Sequence, residues 1–497
     1  MKTQQTGFMA NQSTELSSYF LENGLKILKA LEIAYKHPEN YPVLSSPLSL
    51  KQKLLIPEPL PEKGSKSSDI VDEVIKTIFS GYCNVSHPQY YGYISPKPLP
   101  ISVLGDLLGE GLNQTPGAWR AGPAATVIET ETLRWLSQFI GYEHHLGQVP
   151  NGIFTSGGSM ANASALKLAR DTILDRKVQD EGLVESPFRP TIYMSQEGHF
   201  SIWKALDFLG LGRNSLRSIE VTEDAKIDLN RLGEQIQKDL KNGYKPICLV
   251  GTAGTSATGA VDPLESLAKM AKDYDMWFHV DAAAGGVFAN LPETRQHFQG
   301  LNLADSVTLD PCKWLFVPFG IGCLLTKNGS ELLKSFQASS HYWEDLSEPD
   351  LFQMGLPGTR QWRSLGLWMA FKHLGYQGYH QLLSNTLSVA NYLAETVKAH
   401  TDLELLQEPT LPVCCFRIAN TTHSLSLNEV NHLVQELGVE KGHHYFTILD
   451  WRGTQFFRVS INNFETKTEH IDSLLETILH QVNFLKSNSL PHNSYDP

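Results

Sequence analysis

From about residue 151, short β-rich apolar runs alternate with helical runs, and this alternation limits the possible folds more than any other feature. The β-type runs read GIFT, TIYM, ICLVGT, WFHVD, SVTLD and GCLLT, and the helical spacing covers 159–173, 199–209 and 263–274. Strands interleaved with helices predict an α/β domain around a large, mostly parallel sheet. After residue 380 the pattern changes to a helix (385–400), strands near 412–418 and 455–461, and a helix (467–485), which suits a smaller α+β domain.

Ahead of the alternating region, Leu16, Phe20, Leu25, Leu28 and Leu31 recur at helical spacing within 14–36. A Pro-, Ser- and Lys-rich stretch over 37–68 reads as a wrap rather than a core. A short helix over 69–80 then leads into the loop HPQYYGYISPKPLP (87–100). The expected organisation is an N-terminal helical and wrapping segment (1–105), an α/β domain (106–384), a small α+β domain (385–485) and a tail (486–497). A chain of 497 residues exceeds one core, so several packed units are expected. The net charge of −12 argues against nucleic acid or an anionic membrane surface as partner. The start has no apolar stretch like that of a secretory signal, and no run is long enough to span a membrane. Six cysteines lie scattered without CxxC spacing, which reads as reduced thiols in a cytoplasm and not as a zinc site.

Four segments carry chemistry. In FTSGGSMANASALKLAR (154–170) a β-like run ends in Ser156-Gly157-Gly158-Ser159 and opens into a helix. Glycines admit a ligand close to the backbone, and the free N–H groups of a helix start attract phosphate, with the Ser156 and Ser159 hydroxyls as further donors. An ordinary strand–helix turn would look the same. In WFHVDAAAGG (277–286), Asp281 ends a β run where open α/β sheets bind ligands, and small residues follow it. A carboxylate there can hold a pyridine nitrogen protonated or simply cap a helix. In SVTLDPCKWLFVPFGIGCLL (306–325), Lys313 lies among Cys312, Trp314 and Leu315, a setting that frees its amine for imine formation, although a lone KW pair is also a common surface feature. In QEGHFSIWKALDFLG (196–210), His199 lies between strand and helix, where an imidazole can stack on a ring and handle a proton or serve as a structural group. All four stand in order at the C-terminal ends of expected strands. That joint arrangement points to pyridoxal 5′-phosphate, with Lys313 as its anchoring lysine.

From about His87 to Asp472 the sequence resembles the group II pyridoxal-phosphate-dependent amino acid decarboxylases, a family that includes aromatic-L-amino-acid, glutamate and diaminobutyrate decarboxylases. HPQYYGY, TSGGSMAN, GHFS, HVDAAAGG, DPCKW, TRQWRSLGLW and RVSINNFETKTEHID carry the likeness, and Asp281 and Lys313 stand 32 apart. The resemblance implies the fold type I transferase architecture and a homodimer with active sites at its interface. It implies that Lys313 bears the cofactor, that His199 stacks on the ring and handles a proton, and that Asp281 binds the ring nitrogen. Ala283 would pack on the opposite face, Gly158, Ser159 and Asp310 near the phosphate, and Thr252 near the cofactor hydroxyl. Tyr93 and Arg360 match substrate-contacting segments. The expected reaction is α-decarboxylation of an L-amino acid to an amine and CO₂. A carbon–carbon lyase, an oxidative aldehyde synthase and a protein with purely structural cofactor are the alternatives.

Three departures stand out. Cys312 takes the place of a commoner histidine. Ungapped pairing puts Leu351, beside Phe352, where aromatic decarboxylases carry a proton-donating loop tyrosine, leaving His341, Tyr342 or His199 as replacement donors. The loop GYISPKPLP lacks the polar pattern of glutamate-specific members and looks nearer to the diaminobutyrate type.

Overall fold

The structure, a computed structural model, describes residues 19–44, 59–142, 150–183, 188–338, 350–420 and 425–487. The backbone divides into two compact units, one of Tyr93–Arg417 with Arg458–Phe464, the other of Met1–Gly92 with Ile418–Phe457 and Glu465–Pro497.

The larger unit is built on seven strands: β1 (Gly152–Thr155), β2 (Arg189–Ser195), β3 (Leu216–Ile219), β4 (Tyr244–Thr252), β5 (Trp277–Asp281), β6 (Ser306–Leu309) and β7 (Gly322–Thr326). Their order is β1-β7-β6-β5-β4-β2-β3. The run β3, β2, β4, β5, β6 is parallel, and β7 is antiparallel to both β6 and β1. Strands β1, β5, β6 and β7 are buried at every position, as expected for a sheet covered on both faces. Ile153, Ile192, Val250 and Leu324 of the sheet pack with Ala165 and Leu168 of the helix Gly158–Ile173 and Leu206 of the helix Ser201–Phe208.

Strand direction fixes where the loops gather. Since β7 reverses against both neighbours, β1 runs with the parallel set, and the C-terminal ends of β1, β2, β4, β5 and β6 share one edge. An antiparallel partner needs no helical crossover, so the chain from β6 to β7 stays on that edge as a loop, residues 310–321. Helix starts at Pro100 and Pro123 place proline at the first turn, where its missing N–H costs nothing. The helix expected over 385–400 begins earlier, spanning Ser364–Ala399 with a break at Gly375, whose φ of 61° suits glycine.

In the smaller unit the helices Phe20–Lys36 and Ser67–Phe79 are joined by Lys26–Asp72 at 2.9 Å and by an Asn23 Nδ2–H bond to Ser67 Oγ at 3.1 Å. Helix Leu427–Lys441 opens with a Ser426/Glu429 capping box. Arg452 and Gly453, both at positive φ, turn the chain between strands Thr447–Trp451 and Thr454–Ser460. Phe20, Leu25 and Leu28, which the helical spacing marks as apolar face, are exposed in the single chain, and Leu16 lies outside the described residues.

Candidate active site

The strand ends frame a cavity of about 410 Å³. Gly158, Ser159, His199, Thr252, Asp281, Ala283, Asp310 and Lys313 all line it. Tyr93 and Arg360 are not among its lining residues. Tyr93 is exposed, and its carbonyl accepts a bond from Asn462 Nδ2–H at 2.6 Å. The Arg360 guanidinium makes a two-pronged pair with Glu129, which is fully buried and also accepts from Ser364 Oγ–H.

The glycine turn is shaped by close approach. A Cβ on Gly158 would stand 2.9 Å from Asp310 Oδ2, and one on Gly322 would stand 2.3 Å from the Gly157 carbonyl carbon, so neither position admits a larger residue without movement. The helix Gly158–Ile173 points its N-terminus, with its positive dipole end, at this edge.

The lysine loop is tightly held. Trp314 is fully buried, packs edge-on to Phe288 at 5.3 Å, and donates Nε1–H to the Ile461 carbonyl at 3.0 Å. The Leu315 carbonyl accepts from Tyr379 O–H, and the Phe316 carbonyl accepts from Leu99 N–H. Phe316 sits at φ 55°, a strained value for a side-chain-bearing residue, and edge packing on Phe464 helps hold it. Lys313 is not left among apolar neighbours as its sequence setting suggests. Its Nζ stands 3.2 Å from Asp310 Oδ2, so a carboxylate offsets the ammonium. Burial pushes the Asp310 carboxyl above its usual range, with Lys313 opposing. Burial also pushes the Cys312 thiol up to about 12, so this residue lines the cavity as a neutral thiol.

Asp281 is reached by a network that includes Asn162, Ser201, His279 and Ser306, residues to which the sequence patterns assign no role. Asn162 Nδ2 lies 2.8 Å from Asp281 Oδ2 and 2.9 Å from Ser201 Oγ, and Ser201 Oγ lies 2.9 Å from His199 Nδ1. His279 Nε2 lies 3.1 Å from Asn162 Oδ1, and its Nδ1 lies 2.9 Å from Ser306 Oγ. Two signals could have located them. His279 is two residues before Asp281 on a strand and so shares its face, and Asn162 is one helical turn after Gly158. Burial lowers His199, with Asp281 opposing, and lowers His279 to about 4, so both rings are neutral near pH 7.

The cavity suits pyridoxal phosphate on the structure's own terms. Among the described residues, Thr252 Oγ1 and Asp310 Oδ1 are buried there without a partner, a cost that a polar ligand would relieve. The glycine cradle, the anchored lysine and the carboxylate ending β5 are the donor set that phosphate, aldehyde and ring nitrogen each require. Residues 47–419 match the model of the pyridoxal-dependent decarboxylase conserved domain. The chain belongs to the pyridoxal-dependent decarboxylase family. It is 30% identical over 437 residues to an aromatic-L-amino-acid decarboxylase of Bacillus atrophaeus, covering 86% of this chain and 88% of that one. It is 27% identical to a phenylacetaldehyde synthase of Petunia hybrida, covering 91% and 92%. The structure of Catharanthus roseus tryptophan decarboxylase in complex with L-tryptophan superposes with a TM-score of 0.85 at 26% identity, covering 94% of this chain and 99% of that chain. The protein is thus a pyridoxal-phosphate-dependent carboxy-lyase of the amino acid decarboxylases, with their fold type I architecture.

In this decarboxylase the ungapped pairing at Leu351 falls on a buried residue. Leu351 and Phe352 lie in the short 3₁₀ turn Leu351–Met354, and Leu351 packs in the core with Ile153 and Met354. Neither Leu351 nor Phe352 has a proton to donate. His341 and Tyr342, the expected substitutes, lie outside the described residues. Among the described residues no group of His, Cys, Asp or Glu is placed to hold a metal, and no helix is long and apolar enough to cross a membrane.

Proposed function

We propose that this decarboxylase removes the α-carboxyl group of an L-amino acid at the cavity that Lys313, Asp281 and His199 line. One observation carries the reading: these three residues, from three separate strand ends, converge on the cavity whose floor is the glycine cradle. Pyridoxal phosphate supplies the electron sink for the pair of electrons left when CO₂ departs. Lys313 would anchor it, and the Asp310 carboxylate holds the amine in place beforehand. The carboxylate of Asp281 would face the ring nitrogen and keep it charged. Gly158, Ser159 and the helix start would take the phosphate, with Asp310 at its edge, while the Thr252 hydroxyl meets the cofactor's own hydroxyl. His199 and Ala283 would lie on opposite faces of the ring. His199, a neutral imidazole at the cavity wall, is then the described residue best suited to return a proton to the product. Tyr93 and Arg360 would bear on substrate only indirectly, Arg360 by holding Glu129 and the start of the helix that follows it.

Phe20 and Leu21, at 71% and 72% exposed, together with Ile70 and Ile78, present apolar faces that favour a homodimer. All six cysteines are free, which supports a reducing, cytoplasmic setting.

The test is a panel of L-amino acids assayed for CO₂, amine and oxygen uptake, with light scattering for assembly. One CO₂ per amine without oxygen uptake supports the proposal, and cleavage without CO₂ overturns it. The likeness to a phenylacetaldehyde synthase, together with side chains at Leu351 and Phe352 that have no proton to give, favours one second reading, an oxidative aldehyde synthase, which would give aldehyde, ammonia and peroxide instead.

A further inference from the structure

Hydrogen-bond polarity around Asn162 can be settled atom by atom. A carboxylate oxygen accepts, so the Asn162 atom 2.8 Å from Asp281 Oδ2 is the amide nitrogen, donating one N–H. Its second N–H goes to Ser201 Oγ at 2.9 Å. The amide oxygen then faces His279 Nε2 at 3.1 Å and must receive a hydrogen, so His279 carries its proton on Nε2. His279 Nδ1 is left as an acceptor and takes Ser306 Oγ–H at 2.9 Å, while the Ser306 carbonyl at 3.2 Å receives nothing from this ring. Ser306 Oγ in turn accepts Trp277 Nε1–H at 2.8 Å. On the other branch, Ser201 Oγ has accepted from Asn162 and turns its own hydrogen to His199 Nδ1 at 2.9 Å. The Ser201 backbone N–H, 3.3 Å from the same nitrogen, points the same way. The proton of the neutral His199 ring is therefore on Nε2.

We propose that Asn162, backed by His279, is a positioning residue that orients the Asp281 carboxylate and, through Ser201, holds His199 with its proton on Nε2. This rests on the reading of Asp281 as the partner of the cofactor's ring nitrogen. Asn162, Ser201, His279 and Ser306 are at most 1% exposed, and every polar side-chain atom of the four is satisfied. Packing alone does not call for such a chain, since apolar residues of similar volume fill a buried sheet face without needing partners. The polar chain is worth its desolvation because one amide sets two groups that the reaction uses. His279, lowered to about 4 by burial, keeps the direction fixed because it does not take up a second proton near pH 7.

Asn162→Leu, close in volume, deletes both donors. Binding is measured with pyridoxal phosphate and with its 1-deaza analogue, whose ring nitrogen is replaced by carbon. In the wild type the first binds more tightly than the second. Asn162→Leu weakens pyridoxal phosphate by about tenfold or more, as for loss of a hydrogen bond to a charged group, and leaves the analogue unchanged. ¹⁵N spectra of histidine-labelled, cofactor-free protein, with His199→Gln to assign the signal, show the Nε2–H form in the wild type and a mixture in Asn162→Leu. His279→Phe is read the same way if Asn162→Leu fails to fold, and His279→Gln, which restores an N–H toward Asn162 Oδ1, recovers most of the discrimination. An unchanged affinity ratio and an unchanged His199 tautomer overturn the proposal. A wild type that binds both compounds alike overturns the assignment of Asp281 instead.

Discussion

The Asp310 carboxylate touches two parts of the site at once: it stands 3.2 Å from Lys313 Nζ, and it closes over the place where a Cβ on residue 158 would be. Lys313 and the glycine turn at residue 158 are therefore adjacent through one side chain. Gly158→Ala pushes that carboxylate away by filling 2.9 Å of space with a methyl group. The expected outcome is cofactor retention weakened by about tenfold, the scale of a displaced hydrogen-bonding group, with the cofactor-free protein destabilised by no more than about 1–3 kcal/mol, the overpacking penalty. Equilibrium dialysis against pyridoxal phosphate checks it, and undiminished retention would show that the cradle lies elsewhere.

Lys313 is expected to be the attachment point. Borohydride reduction of the yellow holoenzyme should fix the cofactor on the peptide that contains Lys313, and Lys313→Ala should abolish both labelling and nearly all activity. Mass spectrometry of the digest decides the matter. A label on Lys97 or Lys204 contradicts the assignment.

Asp281→Asn keeps shape and removes charge. Activity should fall by about a hundredfold or more, the scale seen when an electrostatic stabiliser is lost, while the protein still folds. Steady-state kinetics alongside circular dichroism test this. A variant within about twofold of wild type would mean that Asp281 does not face the ring nitrogen.

His279 gives a pH dependence with a definite sign. Its folded-state pKa is depressed from 6.5 to about 4, so the unfolded chain binds the proton more readily. The stability it contributes is fully present above about pH 6.5 and is lost as pH falls toward about 4, by roughly 3 kcal/mol at most. Urea unfolding at a series of pH values should show this loss in the wild type and a flatter acid limb in His279→Gln. Parallel acid limbs would show that the ring titrates normally in the folded protein.

The residues that line the cavity were legible before the fold, because local residue patterns carry them. SGGS ahead of a helix, HVDAAAGG, GHFS and DPCKW each place a functional group at a strand end, and a strand end needs only local information to recognise. That these motifs' other polar residues join into one supporting network was not legible. Asn162, Ser201, His279 and Ser306 lie on different elements, from residue 162 to residue 306, and no spacing rule links them. They meet only because β5 pairs with both β4 and β6 and the helix Gly158–Ile173 packs on the sheet face that carries His279.

By itself the sequence determined which side chains gather at the cavity and that their strands form a mostly parallel sheet, since apolar runs buried on both faces have few other ways to pair. Tertiary structure alone decided that β7 reverses, which keeps the Lys313 loop on the ligand edge. It also decided that Arg360 is committed to Glu129 rather than to the cavity, and that Asp310 rather than an apolar pocket attends Lys313. These outcomes depend on distances between residues far apart in the chain. Hydrogen bonds and ion pairs act over about 3 Å, a scale on which sequence separation carries no information until the chain has folded.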